Sequence, residues 1–302
     1  MNILVTGATG FVGSRIVRQL LAEGHEVRGT HLPGEETARL DEIEGALELL
    51  PIDLFSASGS ELMRLADDIE LCIHTAWHVV PGEYLSSMKN IDCIKGTVRL
   101  ADSLGLSGAT RFAGIGTCFE YDFATGLMSE ETPTKADSLY AASKTAALHL
   151  CEQICRTHGM ELVWPRIFYL YGPGEHPGRL VPYAIGTALK GETADFSSGT
   201  QIKDFMHVDD VASGIVSAAL SVLKGPVNIG SGRETSVREI VQTIGEITGR
   251  KDFARFGARP DNPTDPEKLV ANNEKLQTTG WREKHDLRSG LEDTIQWWRQ
   301  LA

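Results

Sequence analysis

The sequence predicts an α/β protein: a mostly parallel β-sheet wound on both faces by helices, with a smaller domain built from discontinuous C-terminal pieces. Three observations carry this expectation. Short β-branched runs alternate with amphipathic helical stretches through the first half, the pattern of successive βαβ units. A glycine-punctuated turn joins the first run to the first helix. After Arg166 the texture changes, with Pro and Gly gathering at Tyr171-Gly172-Pro173-Gly174 and again at His176-Pro177-Gly178.

Taken in order, Ile3-Leu4-Val5 reads as the first strand, and Val12 to Leu21 carries apolar residues at helical spacing, ending near Gly24. Glu26 to Thr30 is the second strand and Leu47 to Ile52 the third. Leu71 to Thr75 and Arg111 to Gly116 follow, each after a helical segment. A helix starting near Ser138 leads to a strand at Leu162-Val163-Trp164. Residues 202–230 read as strand and helix returning to the first layer, and Arg255 to Pro266 as a long turn-rich loop. Leu287 to Leu301 reads as an amphipathic helix carrying Trp297 and Trp298. Strands buried on both faces require helices on both sides.

Composition narrows the function classes. The 302 residues are 41% hydrophobic and 23% charged, values typical of a globular protein. A net charge of −12 argues against nucleic acid or an anionic membrane as partner. It leaves an anionic small molecule open, because a few basic side chains in one cleft override the global field. The five cysteines are an odd number without metal-ligand spacing, so buried apolar roles, a reducing compartment and no metal site are expected. The first strand begins at once, leaving no room for a secretory leader, and no run approaches the ~18 apolar residues of a membrane span. A cytoplasmic location is expected.

Two motifs carry the chemistry. Thr6-Gly7-Ala8-Thr9-Gly10-Phe11-Val12-Gly13 lies between the first strand and the first helix. Glycines there allow a tight turn, close approach of a pyrophosphate and close helix packing, while the helix N-terminus offers free N–H groups. The expected frame is therefore a Rossmann-like doubly wound parallel sheet with a smaller, discontinuous C-terminal substrate domain. Residues 1–165 and 202–230 form the dinucleotide-binding part, and 166–201 and 231–302 the substrate part. The second motif is Tyr140 and Lys144, which share one helix face at i, i+4. A free phenol, with pKa ~10, is a poor acid–base group at neutral pH until an ammonium stabilises the phenolate.

With these motifs the chain resembles the extended short-chain dehydrogenase/reductases, the nucleotide-sugar epimerase/dehydratase family. The resemblance also rests on Asp53-Leu54, His74-Thr75-Ala76, Tyr140-Ala141-Ala142-Ser143-Lys144, Tyr171-Gly172-Pro173, Asp204 to Asp210, Asn228 to Gly232 and Gly280-Trp281. It implies that Gly7, Thr9, Gly10, Phe11, Val12 and Gly13 cradle a nicotinamide dinucleotide. Asp53 and Leu54 would meet its adenine, and Ala76, Ile167, Tyr140 and Lys144 would line the rest. It places the catalytic hydroxyl on Thr117, four residues before Tyr121, beside Cys118. Arg259 would clamp a substrate diphosphate, with Arg179 a second candidate. It further implies a homodimer through the helix of Tyr140 and Lys144 and the helix before residue 105, with Leu139, Ala142, Ala146 and Leu150 offering one possible face.

Departures from the family pattern shape the expected reaction. The acid that usually follows the second strand and binds a ribose 2′-hydroxyl is replaced by Thr30 and His31, so NADP(H) is expected ahead of NAD(H), with Arg39 the one arginine able to reach in. Tyr169 stands where an Asn is common, Lys203 where an Arg is common, and Asn90 is similar to the family's helix asparagine. Cys118 and Phe119 follow Thr117 where a dehydratase needs an acid, and Glu120 is expected on the far face of a strand, which sets a 4,6-dehydratase aside. The expected activity is reduction of an NDP-4-keto-6-deoxyhexose at C4. The alternative is a 4-epimerase with tightly bound NAD, and a non-catalytic cofactor-sensing regulator is the remote third reading.

Overall fold

A computed structural model of the protein describes residues 1–41, 43 and 47–301. The main sheet contains β1 (Asn2–Thr6), β2 (Glu26–His31), β3 (Leu47–Pro51), β4 (Leu71–His74), β5 (Arg111–Gly114), β6 (Gly116–Thr117), β8 (Glu161–Ile167) and β13 (Gly225–Ile229). Its order is β3-β2-β1-β4-β5-β8-β13, with β6 on β8, and all pairs are parallel. The winding reverses between β1 and β4, which opens a crevice at the carboxyl ends of these strands.

Sequence periodicity dictates the two covering layers. α1 (Gly13–Ala22) and α6 (Val208–Leu220) press Ile16, Val17, Leu20, Val211 and Ile215 onto one face. α2 (Gly59–Ala66), α3 (Lys89–Leu106) and α4 (Leu139–His158) cover the other with Leu62, Leu100, Leu104 and Leu148. Local signals fix the ends of α4: the Ser138 hydroxyl accepts from the Ala141 amide, and Gly159 closes the helix at φ 72°. All five cysteines are free and buried. No described helix is long and apolar enough to cross a membrane.

Two local differences from the sequence reading bear on the site. The strand expected over 111–116 breaks at Ile115, and β6 shifts onto β8, pairing Thr117 with Ile167. A side chain at Gly116 would meet the Trp164 indole nitrogen at 2.3 Å, so the strand changes neighbours where the indole crosses it. Residues 118–120 form a 3-10 turn rather than a strand, because Thr117 caps it by accepting from the Phe119 amide.

Outside the main sheet the strands are short: β7 (Leu127–Met128), β9 (Tyr169–Tyr171), β10 (Ala194–Asp195), β11 (Ile202–Lys203), β12 (Phe205–His207), β14 (Thr235–Ser236), β15 (Ala254–Arg255) and β16 (Lys268–Ala271). They pair as β12-β9, β10-β15 and β14-β11-β16-β7. Within 202–230, α6 and β13 therefore join the main layers while β11 and β12 pair elsewhere. α5 (Leu180–Leu189), α7 (Val237–Thr248) and α9 (Leu287–Leu301) bury Ile185, Ile240, Ile244, Leu291 and Ile295 in a separate core, and α8 (Glu274–Gln277) packs Leu276 onto the first. Buried carboxylates tie these pieces together. Asp204 accepts from the amides of Ser231, Gly232 and Ala271. Asp210 accepts from the Lys284 and His285 amides and the His285 ring.

Candidate active site

The glycine loop folds as its sequence demands. Gly7 takes φ 65°, and a Cβ on Gly13 would fall 2.1 Å from the Gly7 carbonyl oxygen, so neither position admits a side chain without strain. Among the described residues the Phe11 and Val12 amides, at the start of α1, have no hydrogen-bond partner and remain available to an anion. The loop thus fits a dinucleotide pyrophosphate. Asp53 follows β3 and accepts from the Phe55 amide at 3.0 Å and the Ser56 hydroxyl at 2.8 Å. Leu54 beside it is buried, and the Ala76 amide donates to the Thr6 hydroxyl.

Around Thr9 the structure adds what the strand ends lack. His31 ends β2 half-buried, its Nδ1 2.9 Å from the Leu32 carbonyl. Four residues later Glu35 folds back, and its carboxylate accepts from the Thr9 hydroxyl at 3.1 Å and the Leu32 amide at 3.3 Å. Arg39 does reach in, donating to the Thr9 carbonyl at 3.2 Å and the Gly174 carbonyl at 3.0 Å. An acid therefore stands at the glycine loop although none follows β2 directly.

The second cluster lies across the crevice. Tyr140 in the first turn of α4, Lys144 one turn on, and Thr117 at the end of β6 are all buried. The Thr117 side chain lies near enough to the Tyr140 phenol to favour its ionised form, against the larger effect of burial. Lys144 Nζ donates to the Ile115 carbonyl at 2.7 Å. Burial raises the Tyr140 pKa above its usual value and favours the neutral phenol. Burial also lowers Lys144 to about 7, against the pull of Glu120 and Cys93 towards the charged form. His74 links the Thr6 and Thr97 hydroxyls at 2.8 Å each and is held neutral, its pKa lowered to about 3 by burial.

Sequence reasoning missed the roof of this corner. The Trp77 ring lies 3.7 Å from Lys144 Nζ and edge-on to Tyr140, while Tyr84 meets Tyr140 edge-on at 4.9 Å. Asn90 is fully buried and holds the roof, accepting from Trp77 Nε1 at 2.8 Å and donating to the Tyr84 and Ser87 carbonyls at 2.7 and 2.8 Å. Of this roof the sequence marked Asn90 alone, as similar to the family's helix asparagine, while Trp77 and Tyr84 carried no signal.

Glu120 corrects the sequence reading of its surroundings. Its carboxylate points into the interior, accepting from Arg166 Nε at 2.8 Å, Trp164 Nε1 at 3.1 Å and the Thr117 amide at 2.9 Å. Cys118 is buried and its thiol is pushed up to about 12. Arg179 is half-buried, with its guanidinium 5.3 Å from the Tyr84 ring centre. Arg259 is exposed and stands instead over Tyr183, at 5.9 Å, in the aromatic group around Phe196. Lys203 is occupied by the Asp265 carboxylate and the Pro266 carbonyl. Glu175, a few residues before Arg179, has a buried oxygen without a partner, and burial raises its pKa to about 8.

Comparison with known proteins agrees with this geometry. Residues 3–230 match the model of the NAD dependent epimerase/dehydratase family, and the chain belongs to that family. It is 30% identical to a UDP-glucose 4-epimerase of Azospirillum brasilense, over 99% of this chain and 92% of the relative. It is 26% identical to a dTDP-glucose 4,6-dehydratase of Streptomyces griseus, over 99% and 94%. Among solved structures, MoeE5 in complex with UDP-glucuronic acid and NAD superposes with a TM-score of 0.85 at 28% identity, covering 100% of both chains.

Proposed function

With membership of the NAD dependent epimerase/dehydratase family as the premise, we propose that the protein is an NAD-dependent 4-epimerase of a nucleotide-diphosphate sugar. The observation that carries this reading is the convergence of the Thr117 hydroxyl, the Tyr140 phenol and the Lys144 ammonium at one buried corner. Bound NAD supplies the hydride chemistry that side chains lack. Gly7 to Gly13, Asp53, Leu54, Ala76 and Ile167 would hold it, and Lys144 would reach its ribose. Tyr140 moves the proton of the C4 oxygen, and Thr117 hydrogen-bonds the same oxygen to keep it in line. The buried, neutral phenol is the form that donates; the ammonium offsets the phenolate charge when the proton moves the other way. Arg179 and Arg259 serve the diphosphate.

In this reading Glu35 weighs towards NAD, against the opposite charge of Arg39 on the same residue, Thr9. The expectation of NADP(H) rested on the missing acid at positions 30 and 31, and a carboxylate on Thr9 supplies the lost repulsion against a 2′-phosphate. The 4-ketoreductase remains the second reading, favoured by the Gly116 to Asp122 run, which is similar to that of sugar-nucleotide ketoreductases. The occupied Glu120 carboxylate argues against dehydration. We also propose a reducing, cytoplasmic setting and a homodimer. Leu139, Ala142, Ala146 and Leu150 turn away from the buried face of α4, beside half-buried Ile91, Ile94 and Val98 of α3.

The test is to identify the nucleotide released on denaturing the purified protein, then to incubate the protein with UDP- and dTDP-hexoses without added cofactor. Released NAD and interconversion of C4 epimers are expected. Stoichiometric consumption of added NAD(P)H by a 4-keto sugar would instead establish the reductase, and binding without any turnover the regulator.

A further inference from the structure

Lys144 carries three N–H donors, and the structure accounts for two directions around its nitrogen. One hydrogen goes to the Ile115 carbonyl at 2.7 Å. The Trp77 ring centre, 3.7 Å away, fills the second with a π face. The third is left to the reacting side.

We propose that Trp77 is a positioning residue whose indole face, anchored by Asn90, keeps the Lys144 ammonium charged and aimed at the Tyr140 phenol and the cofactor ribose. This rests on the acid–base reading of Tyr140 and Lys144 given above. Burial works against an ammonium, and a neutral amine cannot stabilise a phenolate. The groups facing Lys144 from the packed elements are few. Glu120 on the 3-10 turn and Cys93 on α3 favour the charged form, but Glu120 is shared with Arg166 and the Cys93 thiol is itself raised by burial. His74 on β4 is held neutral by burial and by Lys144 itself. Cys118, Tyr84 and Tyr140 contribute no positive charge. A carboxylate in the place of Trp77 would hold the ammonium but oppose the phenolate. A π face attracts the cation with no net charge and takes no proton.

The anchoring makes the contact geometric rather than fortuitous. Trp77 Nε1 is fixed to Asn90 Oδ1, and the same asparagine holds the backbone of Tyr84 and Ser87. The ring that faces Lys144 and the ring that meets Tyr140 at 4.9 Å are thus set by one buried amide.

The test is the pH dependence of the oxidative half-reaction, read as single-turnover reduction of the bound nicotinamide in Trp77→Leu and Trp77→Phe. In Trp77→Leu the midpoint at which the rate rises with pH should move up by about one unit, with KM nearly unchanged. Trp77→Phe should recover much of the wild-type midpoint. Because Trp77→Leu can fail to fold, a shape-conserving series with fluorinated tryptophans at position 77 provides the second measurement. Its midpoint should climb as fluorine withdraws charge from the ring. A wild-type midpoint in folded Trp77→Leu, or a flat fluorine series, overturns the inference. If Tyr140→Phe turns over normally, the underlying acid–base reading fails. If Tyr140→Phe is inactive and the midpoints stay still, only the role of Trp77 falls.

Discussion

Within the main layers Glu120 and Arg166 bury their charges against each other at 2.8 Å, whereas on the small-sheet side Arg179 and Arg259 stand by aromatic rings, and neither is ion-paired among the described residues. The first arrangement is complete within the chain: the Glu120 carboxylate also accepts from the Trp164 indole and the Thr117 amide, so it fixes the turn that follows Thr117. The second leaves guanidinium donors open to a ligand. A charge satisfied inside the fold positions other groups, and a charge left unsatisfied at the crevice is available to bind. Lys203 belongs with the first kind although it lies in the second region, since Asp265 and Pro266 take its donors.

The largest effect should come from the catalytic corner. Tyr140→Phe is expected to lower turnover by about 10²–10⁴-fold while the cofactor still binds, as the proposed action of the phenol on the substrate oxygen requires. Lys144→Ala should damage both turnover and cofactor binding. Steady-state kinetics beside fluorescence titration of the dinucleotide separates the two, and Tyr140→Phe retaining more than about a tenth of activity would refute the proton-transfer role.

The interior pair is the next test of the contrast. Glu120→Gln leaves the Arg166 guanidinium buried without its anion and should cost on the order of 3–5 kcal/mol of stability. Adding Arg166→Met should return part of that loss, since both buried charges are then gone. Denaturant titration of the single and double variants reads this, and a strictly additive double variant would mean the pair is not coupled.

Arg259→Ala should change stability little and instead raise KM for a nucleotide sugar about tenfold or more, with a smaller change in kcat, as loss of uniform ground-state binding requires. An unchanged KM with every nucleotide sugar tried would move the diphosphate contact to Arg179.

The smallest expected effect belongs to Glu175, whose carboxyl has one buried oxygen without an internal partner. Its folded pKa of about 8 exceeds the unfolded 4.5, so the folded state binds the extra proton between those values and stability falls as pH rises through them. Glu175→Gln removes that loss. Its melting temperature relative to wild type should therefore be higher at pH 8.5 than at pH 5, and a difference independent of pH would show that the carboxyl titrates normally.

The legible features were those with local spacing. Gly7, Gly10 and Gly13 mark a turn by their own steric freedom, and Tyr140 and Lys144 share a face because a helix repeats every 3.6 residues. The strand and helix order followed from hydrophobic periodicity for the same reason. The features that stayed hidden are contacts between distant segments. Trp77 meets Lys144 across 67 residues, Glu35 reaches Thr9 by a loop that folds back on the glycine turn, and Glu120 turns inward because residues 118–120 form a 3-10 turn instead of a strand.

The sequence by itself therefore determined the parallel sheet, the anion-binding turn and the pairing of phenol with amine, because each follows from backbone sterics or helical repeat within a few residues. Tertiary structure alone decided which charges are free. Whether Lys203, Arg259, Glu35 or Glu120 can serve a ligand depends on which carbonyls, carboxylates and rings the packed segments bring within hydrogen-bonding or ring-contact distance. Desolvation and hydrogen-bond partnership are properties of the packed interior, and no spacing along the chain encodes them.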